Sequence, residues 1–232
     1  MKIVAISDIH GYIPKNIPEC DVLCISGDIV PLEVQRGIEK SSDWLMNIFY
    51  QELLEMPCKH VVMTWGNHDF IGNVLYRVGH SGEEQTEMFF GGDSKLHILI
   101  DESIEIEGVK FYGTPWIPEL SGWAFYNTSE NLKEIFEKIP EDIDVLLTHC
   151  PPKIGTQGVV LQKCKNYMRD FGCDELYNAL NRKKFEKPLY VLSGHIHTGN
   201  HKIEEYDGIK YVNVSLKDEE YIVSYEPTII EI

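Results

Sequence analysis

The stretch Leu189-Tyr190-Val191-Leu192-Ser193-Gly194-His195-Ile196-His197 joins an apolar run to two histidines one residue apart. Alone, such a pair is most often a polar turn beside a strand. Four other places in the chain end the same way. Ile3-Val4-Ala5-Ile6-Ser7 runs into Asp8-Ile9-His10, and Val22-Leu23-Cys24-Ile25-Ser26 into Gly27-Asp28. Val61-Val62-Met63-Thr64-Trp65 runs into Gly66-Asn67-His68-Asp69, and Val145-Leu146-Leu147-Thr148 into His149. Short apolar runs rich in β-branched residues and bounded by turn residues read as buried strands. Each of these carries Asp, Asn or His at its C-terminal end. In α/β sheets that edge is where ligands bind, because the loops there converge.

Outward from these five runs, further strand candidates are residues 96–100, 104–106, 110–113, 210–214 and 221–225. Helical patterns cover 33–55, 129–139 and 174–182, the second with Ser129 as a candidate N-cap. Strands outnumber helices, and the later strands follow one another closely. The expected class is therefore α/β with two mixed sheets packed together and helices outside, rather than one doubly wound sheet. Residues 71–94, with five glycines, read as an excursion from the core. No repeat, low-complexity tract or linker interrupts the chain, so 1–232 reads as one domain.

The 232 residues suffice for a substantial core. Asp and Glu outnumber Lys and Arg by 37 to 21, a net charge of −16. Such a surface repels nucleic acid at long range, so stable nucleic-acid binding and DNA processing are not expected. The six cysteines form no C-x-x-C pair. They read as small buried hydrophobes in a reducing compartment. The apolar N-terminal run meets Asp8 too early for a signal peptide, and no apolar run reaches membrane-spanning length. A cytoplasmic protein without a membrane partner is expected.

Alternation along an extended segment lets Asp8 with His10, and His195 with His197, each present two ligands to one side. Adjacent strands lie only ~4.8 Å apart, so side chains from several strand ends can reach one centre. Carboxylate, imidazole and carboxamide without thiolate suit Mn, Fe, Zn or Ni rather than a structural cysteine cage. Asp8, His10, Asp28, Asn67, His149, His195 and His197 are too many ligands for one tetrahedral ion. They fit two ions sharing a carboxylate, the arrangement that clamps an in-line displacement at phosphorus.

In this order, Asp8-x-His10, Gly27-Asp28, Gly66-Asn67-His68-Asp69, His149 and Gly194-His195-x-His197 resemble the calcineurin-like metallophosphoesterase superfamily. Tyr112-Gly113-Thr114-Pro115-Trp116, Thr148-His149-Cys150-Pro151-Pro152 and Tyr211-Val212-Asn213-Val214-Ser215 are similar to its metallophosphoesterase-domain-containing subgroup. The resemblance implies a four-layer αββα sandwich with two divalent ions, Mn²⁺ first among the candidates and Fe, Zn or Ni the alternatives. It implies that Asp8, His10, Asp28 and His197 hold one ion, and Asp28, Asn67, His149 and His195 the other. It also implies that a hydroxide shared by the ions attacks the ester, with His68 protonating the leaving oxygen and Asp69 orienting His68. The implied substrate is a small phosphodiester, nucleotide-derived and cyclic ones included. Phosphomonoesterases and phosphoprotein phosphatases use the same centre. Members that have lost ligands are scaffolds, whereas here every ligand position is filled.

Three positions stand as candidate substrate contacts. Trp116 is either a nucleobase platform at the rim or a packing residue after a strand. In residues 151–173, Lys153, Lys163, Lys165 and Arg169 face one acid, Asp170, directly after His149. Lys163 and Lys165 are the candidates there for an anionic substrate, against the plainer reading of a solvated loop. His60, His80, His97 and His201 fit no motif and read as structural or solvated.

Overall fold

Period-2 alternation gives every central strand two apolar faces, and the fold covers both. In chain order the computed structural model, which describes residues 1–162 and 167–232, begins with β1 (Lys2–Ile6) and β2 (Cys20–Ser26). Helix α1 (Ile38–Trp44) continues through a π-helical turn at Leu45–Phe49 into α2 (Tyr50–Glu55). Then come β3 (Cys58–Thr64), α3 (Phe70–Arg77), α4 (Gly82–Phe90), β4 (Leu96–Ile98), β5 (Glu102–Ile106) and β6 (Val109–Thr114). Two short strands, β7 (Ile117–Pro118) and β8 (Tyr126–Asn127), precede α5 (Ser129–Phe136) and β9 (Val145–Thr148). A two-stranded ribbon of β10 (Val159–Gln162) and β11 (Tyr167–Asp170) leads to α6 (Asp174–Arg182). The chain finishes with β12 (Leu189–Ser193), β13 (Glu204–Tyr206), β14 (Ile209–Asn213) and β15 (Thr228–Glu231).

One sheet has the order β15-β1-β2-β3-β4, parallel except for β15. The other has the order β13-β14-β12-β9-β6-β5, parallel in its four central strands with antiparallel edges. Ile3, Ala5, Val22, Cys24 and Val62 of the first sheet meet Phe111, Val145, Leu147, Leu192 and Val212 of the second in one apolar layer. The opposite alternation, Val4, Ile6, Leu23, Ile25, Val61 and Met63, joins Leu45, Phe49, Leu53, Ile71 and Phe90 of the first helices. Leu146, Leu189 and Val191 join Leu132, Phe136, Leu176 and Leu180 of α5 and α6 in the same way. The result is the expected mixed α/β sandwich of two large sheets between helices. No helix of the described residues is long and apolar enough to cross a membrane.

Local departures from the sequence pattern have local causes. The helix expected from residue 33 begins at Ile38, because the amides of Val34 and Gln35 first turn back onto the Pro31 carbonyl. Thr128, one residue before Ser129, caps α5 by accepting from the Asn131 amide. The glycine-rich segment after residue 70 holds two helices. The second opens with a Ser81–Glu84 capping box and closes at Gly91 in the left-handed region, so these glycines punctuate helices instead of marking a loop. Residues 221–225 form no strand. Tyr221 has φ +60° within a tight loop, and the strand that closes the chain is β15, paired with β1.

Leu147 is fully buried between the sheets. Leu147→Ala should lower stability by about 2–5 kcal/mol through lost transfer energy plus a cavity. A urea titration would read this as a lower midpoint at unchanged slope.

Candidate metal centre

The C-terminal ends of β1, β2, β3, β9 and β12 meet at one edge of the sandwich, and the chain turns sharply at each. Asp8, His10, Asp28 and His195 have φ of 53°, 41°, 53° and 67°. Non-glycine residues in this region cost of order 1–3 kcal/mol each and persist only where the surroundings over-determine them. Here the amides of Asp8 and His10 donate to the carbonyls of Gly27 and Asp28 at 3.0 and 2.9 Å. The amide of His195 donates to both Asp8 carboxylate oxygens, at 3.2 and 3.0 Å. Two glycines permit the crowding. A methyl on Gly66 would run into the Asp28 carboxylate, and one on Gly194 into Ser7 Oγ and Asp8 Oδ2.

Around the two carboxylates the histidines gather. His197 Nε2 lies 3.3 Å from Asp8 Oδ1, and His149 Nε2 lies 3.4 Å from Asp28 Oδ2. His10 and His68 each place Nε2 3.8 Å from Asp28 Oδ2. Potential ligand atoms of Asp8, His10 and His197, of Asp8, Asp28 and His149, and of His10, Asp28 and His68 fall within 4.8 Å of one another in each trio. Asn67 Oδ1 is 2.9 Å from His149 Nε2, and the His195 ring lies beside that of His149 with centroids 5.0 Å apart. The structure thus brings together the seven candidate ligands expected from the sequence, with His68, the candidate proton donor, beside them.

Two observations test whether a cation fits. Both ring nitrogens of His10 are buried without a hydrogen-bond partner among the described residues. Such a group is costly unless something accepts its lone pair or proton. Second, His149 Nδ1 and His197 Nδ1 face the carbonyls of Ser26 and Asp218 at 2.9 and 2.8 Å. A carbonyl only accepts, so each Nδ1 carries the proton and each Nε2 is turned to the cluster, the orientation that outer-layer partners give to ligating imidazoles. With a donor set of carboxylate, imidazole and carboxamide, the residues fit a divalent transition metal.

The electrostatics agree. Burial alone would raise the carboxyl of Asp8, but the hydrogen bond and charge of His197 hold it well below the usual range. Burial likewise opposes ionisation of Asp28, and the charges of His149 and His68 bring it well below. Burial disfavours charge on His149 and His197, yet Asp28 and Asp8 raise them to about 9. His10 and His195 have less compensation, and burial lowers them to about 4 and about 3. Without metal, then, the His149 and His197 imidazoliums neutralise two carboxylates while burial disfavours charge on His10, His68 and His195.

The expected role of Asp69 needs correction. Its Oδ1 accepts from the amides of Ile29 and Val30, both at 2.9 Å, and its Oδ2 from the amide of Gly66 at 2.7 Å. It ties the β2 and β3 loops together and does not contact the His68 ring. With its charge buried and Asp28 nearby, its pKa rises to about 7. The partner of His68 Nδ1 is Gln35 Oε1 at 2.6 Å. Trp116 also sits elsewhere: it is buried, and its Nε1 donates to Asp101 Oδ2 at 2.7 Å, so the packing reading holds. Lys163 and Lys165 lie outside the described residues. Of their neighbours, Lys153 is paired with Asp174 at 2.8 Å and the Arg169 guanidinium lies over the Phe171 ring. His201 bonds the His197 carbonyl at 2.9 Å, and the His60 and His97 rings stack at 5.8 Å.

Four residues at the rim escaped the sequence reading. Gln35 holds His68; Trp123 lies 4.4 Å from the His68 ring, centroid to centroid; Glu219 and Tyr221 line the cavity of about 110 Å³ with Asp28, Asn67, His68, His195 and His197. All four lie in loops; Trp123 and Glu219 carry no periodic signal, and Gln35 and Tyr221 fall in segments whose pattern reads as helix and strand.

Comparison with known proteins agrees with this geometry. The calcineurin-like phosphoesterase family model matches residues 1–199. Metallophosphoesterase domain-containing protein 1 of Homo sapiens is 29% identical over 247 residues, covering 100% of this chain and 71% of its own. A UPF0046 protein of Caenorhabditis elegans is 29% identical over 248 residues, covering 100% of this chain and 81% of its own. A solved archaeal phosphodiesterase aligns with 99% of this chain and 100% of its own at 15% identity and a TM-score of 0.40, a distance at which it carries no weight.

Because His149 and His197 hold protons up to about pH 9, metal must displace them. Loading the stripped protein with Mn²⁺ at pH 7.5 should release about two protons, and affinity should rise with pH toward 9 instead of levelling near 6.5. Calorimetry in buffers of different ionisation enthalpy measures the count; release near zero would contradict the charge assignment. Gly194→Ala should leave the protein folded by circular dichroism but strip most of its bound metal, because the new methyl displaces Asp8.

Proposed function

Because the chain belongs to the calcineurin-like phosphoesterase family, we propose that it hydrolyses small phosphodiesters at a centre for two divalent cations. The observation that carries this is the pairing of two buried carboxylates with imidazoles at one strand edge, His10 having neither ring nitrogen satisfied. In this reading Asp8, His10, Asp28 and His197 hold one cation, and Asp28, Asn67, His149 and His195 the other. When bound, such ions supply Lewis acidity that neutralises charge at the phosphoryl group and acidifies water. Mn²⁺ is the first candidate, with Fe, Zn and Ni as alternatives.

The chain's own residues do the rest. The small cavity admits a phosphoryl group and leaves its ester arms at the rim. Trp123, half-buried beside His68, is the aromatic there against which a nucleotide-derived arm would lie. His68, fixed by Gln35, hands a proton from Nε2 to the leaving oxygen. Burial lowers its pKa below the ordinary value, Asp28 pulling the other way, so its protonated fraction grows as pH falls. Metal retention grows as pH rises. The product of the two is a bell-shaped rate profile. Action on a small ester in a cytoplasmic setting, with no stable nucleic-acid partner, completes the reading for a chain of charge −16.

EDTA should abolish hydrolysis of bis-p-nitrophenyl phosphate and Mn²⁺ should restore it, with p-nitrophenyl phosphate cleaved more slowly. A faster monoester would mark a phosphomonoesterase with the same centre. Metal-free protein that gains nothing from Mn²⁺ would mark a scaffold. His68→Ala should keep its metal and lose rate most, about 10²-fold or more, on esters with poor leaving groups. Equal losses on p-nitrophenyl and alkyl esters would exclude the proton-donor role.

A further inference from the structure

The loop after β14 is built around one side chain. Asp218 Oδ1 accepts from the amides of Glu220 and Ile222 at 3.0 and 3.1 Å, and its Oδ2 from Ser224 Oγ at 2.8 Å. Its amide donates to the Ile222 carbonyl, and its carbonyl accepts from the Tyr221 amide, both at 2.9 Å. The same carbonyl accepts from His197 Nδ1, so the loop is fastened to a histidine of the metal centre.

This bracing forces Tyr221 to φ +60°, a conformation that a tyrosine adopts only when its surroundings impose it. The ring then sits 4.9 Å from His10 and 5.3 Å from His197, centroid to centroid, in edge-on contact with both. Tyr221 is 38% exposed, and its hydroxyl has no hydrogen-bond partner among the described residues. Glu219, exposed and held by Thr198 Oγ1 at 3.0 Å, lines the same cavity and pairs with no cation among the described residues. A constrained aromatic donor and a carboxylate without a cationic partner among the described residues therefore line the cavity that reaches Asp28, Asn67 and His195.

Resting on the phosphoesterase reading above, we propose that this loop selects the substrate: the Tyr221 hydroxyl hydrogen-bonds the phosphoryl group, and Glu219 discriminates against dianions. A phosphomonoester carries nearly two negative charges at neutral pH and a diester one. The additional charge meets the Glu219 carboxylate at close range, whereas a diester presents a neutral ester arm there. The repulsion is exposed to solvent and therefore screened by salt. The phenol keeps one charge-assisted bond to the phosphoryl oxygen in either case.

The test uses the full, Mn²⁺-loaded protein. Tyr221→Phe should lower kcat/KM for bis-p-nitrophenyl phosphate about tenfold at unchanged metal content. It should weaken binding of phenyl methylphosphonate, a singly charged ester, by about as much. Glu219→Gln should leave the diester within about twofold. It should raise kcat/KM for p-nitrophenyl phosphate about three- to tenfold at low salt, and tighten binding of dianionic phenylphosphonate in parallel. In 0.5 M KCl, where charge is screened, the Glu219→Gln gain should vanish, a response that a merely structural residue would not give. An active wild type whose variants keep the diester-to-monoester ratio and both phosphonate affinities overturns this proposal alone. A metal-loaded wild type that cleaves neither ester removes the phosphoesterase reading, and this one with it.

Discussion

Two carboxylates taken out of water side by side are the constraint on which the rest of the structure depends. Asp8 and Asp28 are 0% and 1% exposed, with oxygens within 4.8 Å of each other. Each costs several kcal/mol to desolvate as an ion, and they repel. Every neighbouring feature compensates for this. Asp8 takes a hydrogen bond from Ser215 Oγ at 2.6 Å, two from the His195 amide, and an ion pair with His197. Asp28 takes the amide of His68 at 2.7 Å and pairs with His149. Those partners come from both sheets, so the two sheets must converge at this edge, and the strained turns that deliver the donors are stabilised by the bonds they make.

The convergence has its own sequence cause. The last residue of each of the five apolar runs, or the one before it, is a small hydroxyl residue: Ser7, Ser26, Thr64, Thr148 and Ser193, all at 0–1% exposure. Each donates to a carbonyl near where its ladder stops: Ser7 to Ser26, Ser26 to Leu192 across the sheets, Thr64 to Leu99, Thr148 to Cys150, and Ser193 to Val212. A bulky apolar residue at these positions would hold the sheets apart and leave those carbonyls less well satisfied. The layer is therefore oily along its length and hydroxylated at its rim, and the candidate ligands begin one to three residues later.

This explains which parts were legible in the sequence. A buried strand is written in consecutive residues, so its end, and the candidate ligand hanging from it, can be read directly; the seven candidate positions follow from that. A loop partner is not written locally. Asp69 follows His68 in the chain yet turns to the amides of Ile29, Val30 and Gly66, while Gln35, thirty-three residues away, reaches the His68 ring. Trp116 lies one residue before a short strand and is held by Asp101, whereas Trp123, in an unpatterned turn, reaches the centre. Residues 221–225 look like a strand by composition, but Asp218, three residues earlier, takes the amides of Glu220 and Ile222 and bends the segment into a loop. Side chains that bond backbone override propensity there.

The proton inventory of the centre also bears on how the proposed centre would draw in an anion against a chain charge of −16. With two imidazoliums beside two carboxylates the cluster is close to neutral, and the protein's field is repulsive. In the proposed two-cation centre, exchanging about two protons for two divalent ions raises the local charge by about two units, while the fold and the outer surface stay as they are. Attraction is then short-ranged and confined to the strand edge, because the surrounding acidic surface opposes it beyond a Debye length of about 10 Å. In the proposed reading, substrate capture depends on metal loading and not on net charge, and an exterior of charge −16 opposes the approach of long polyanions to the strand edge.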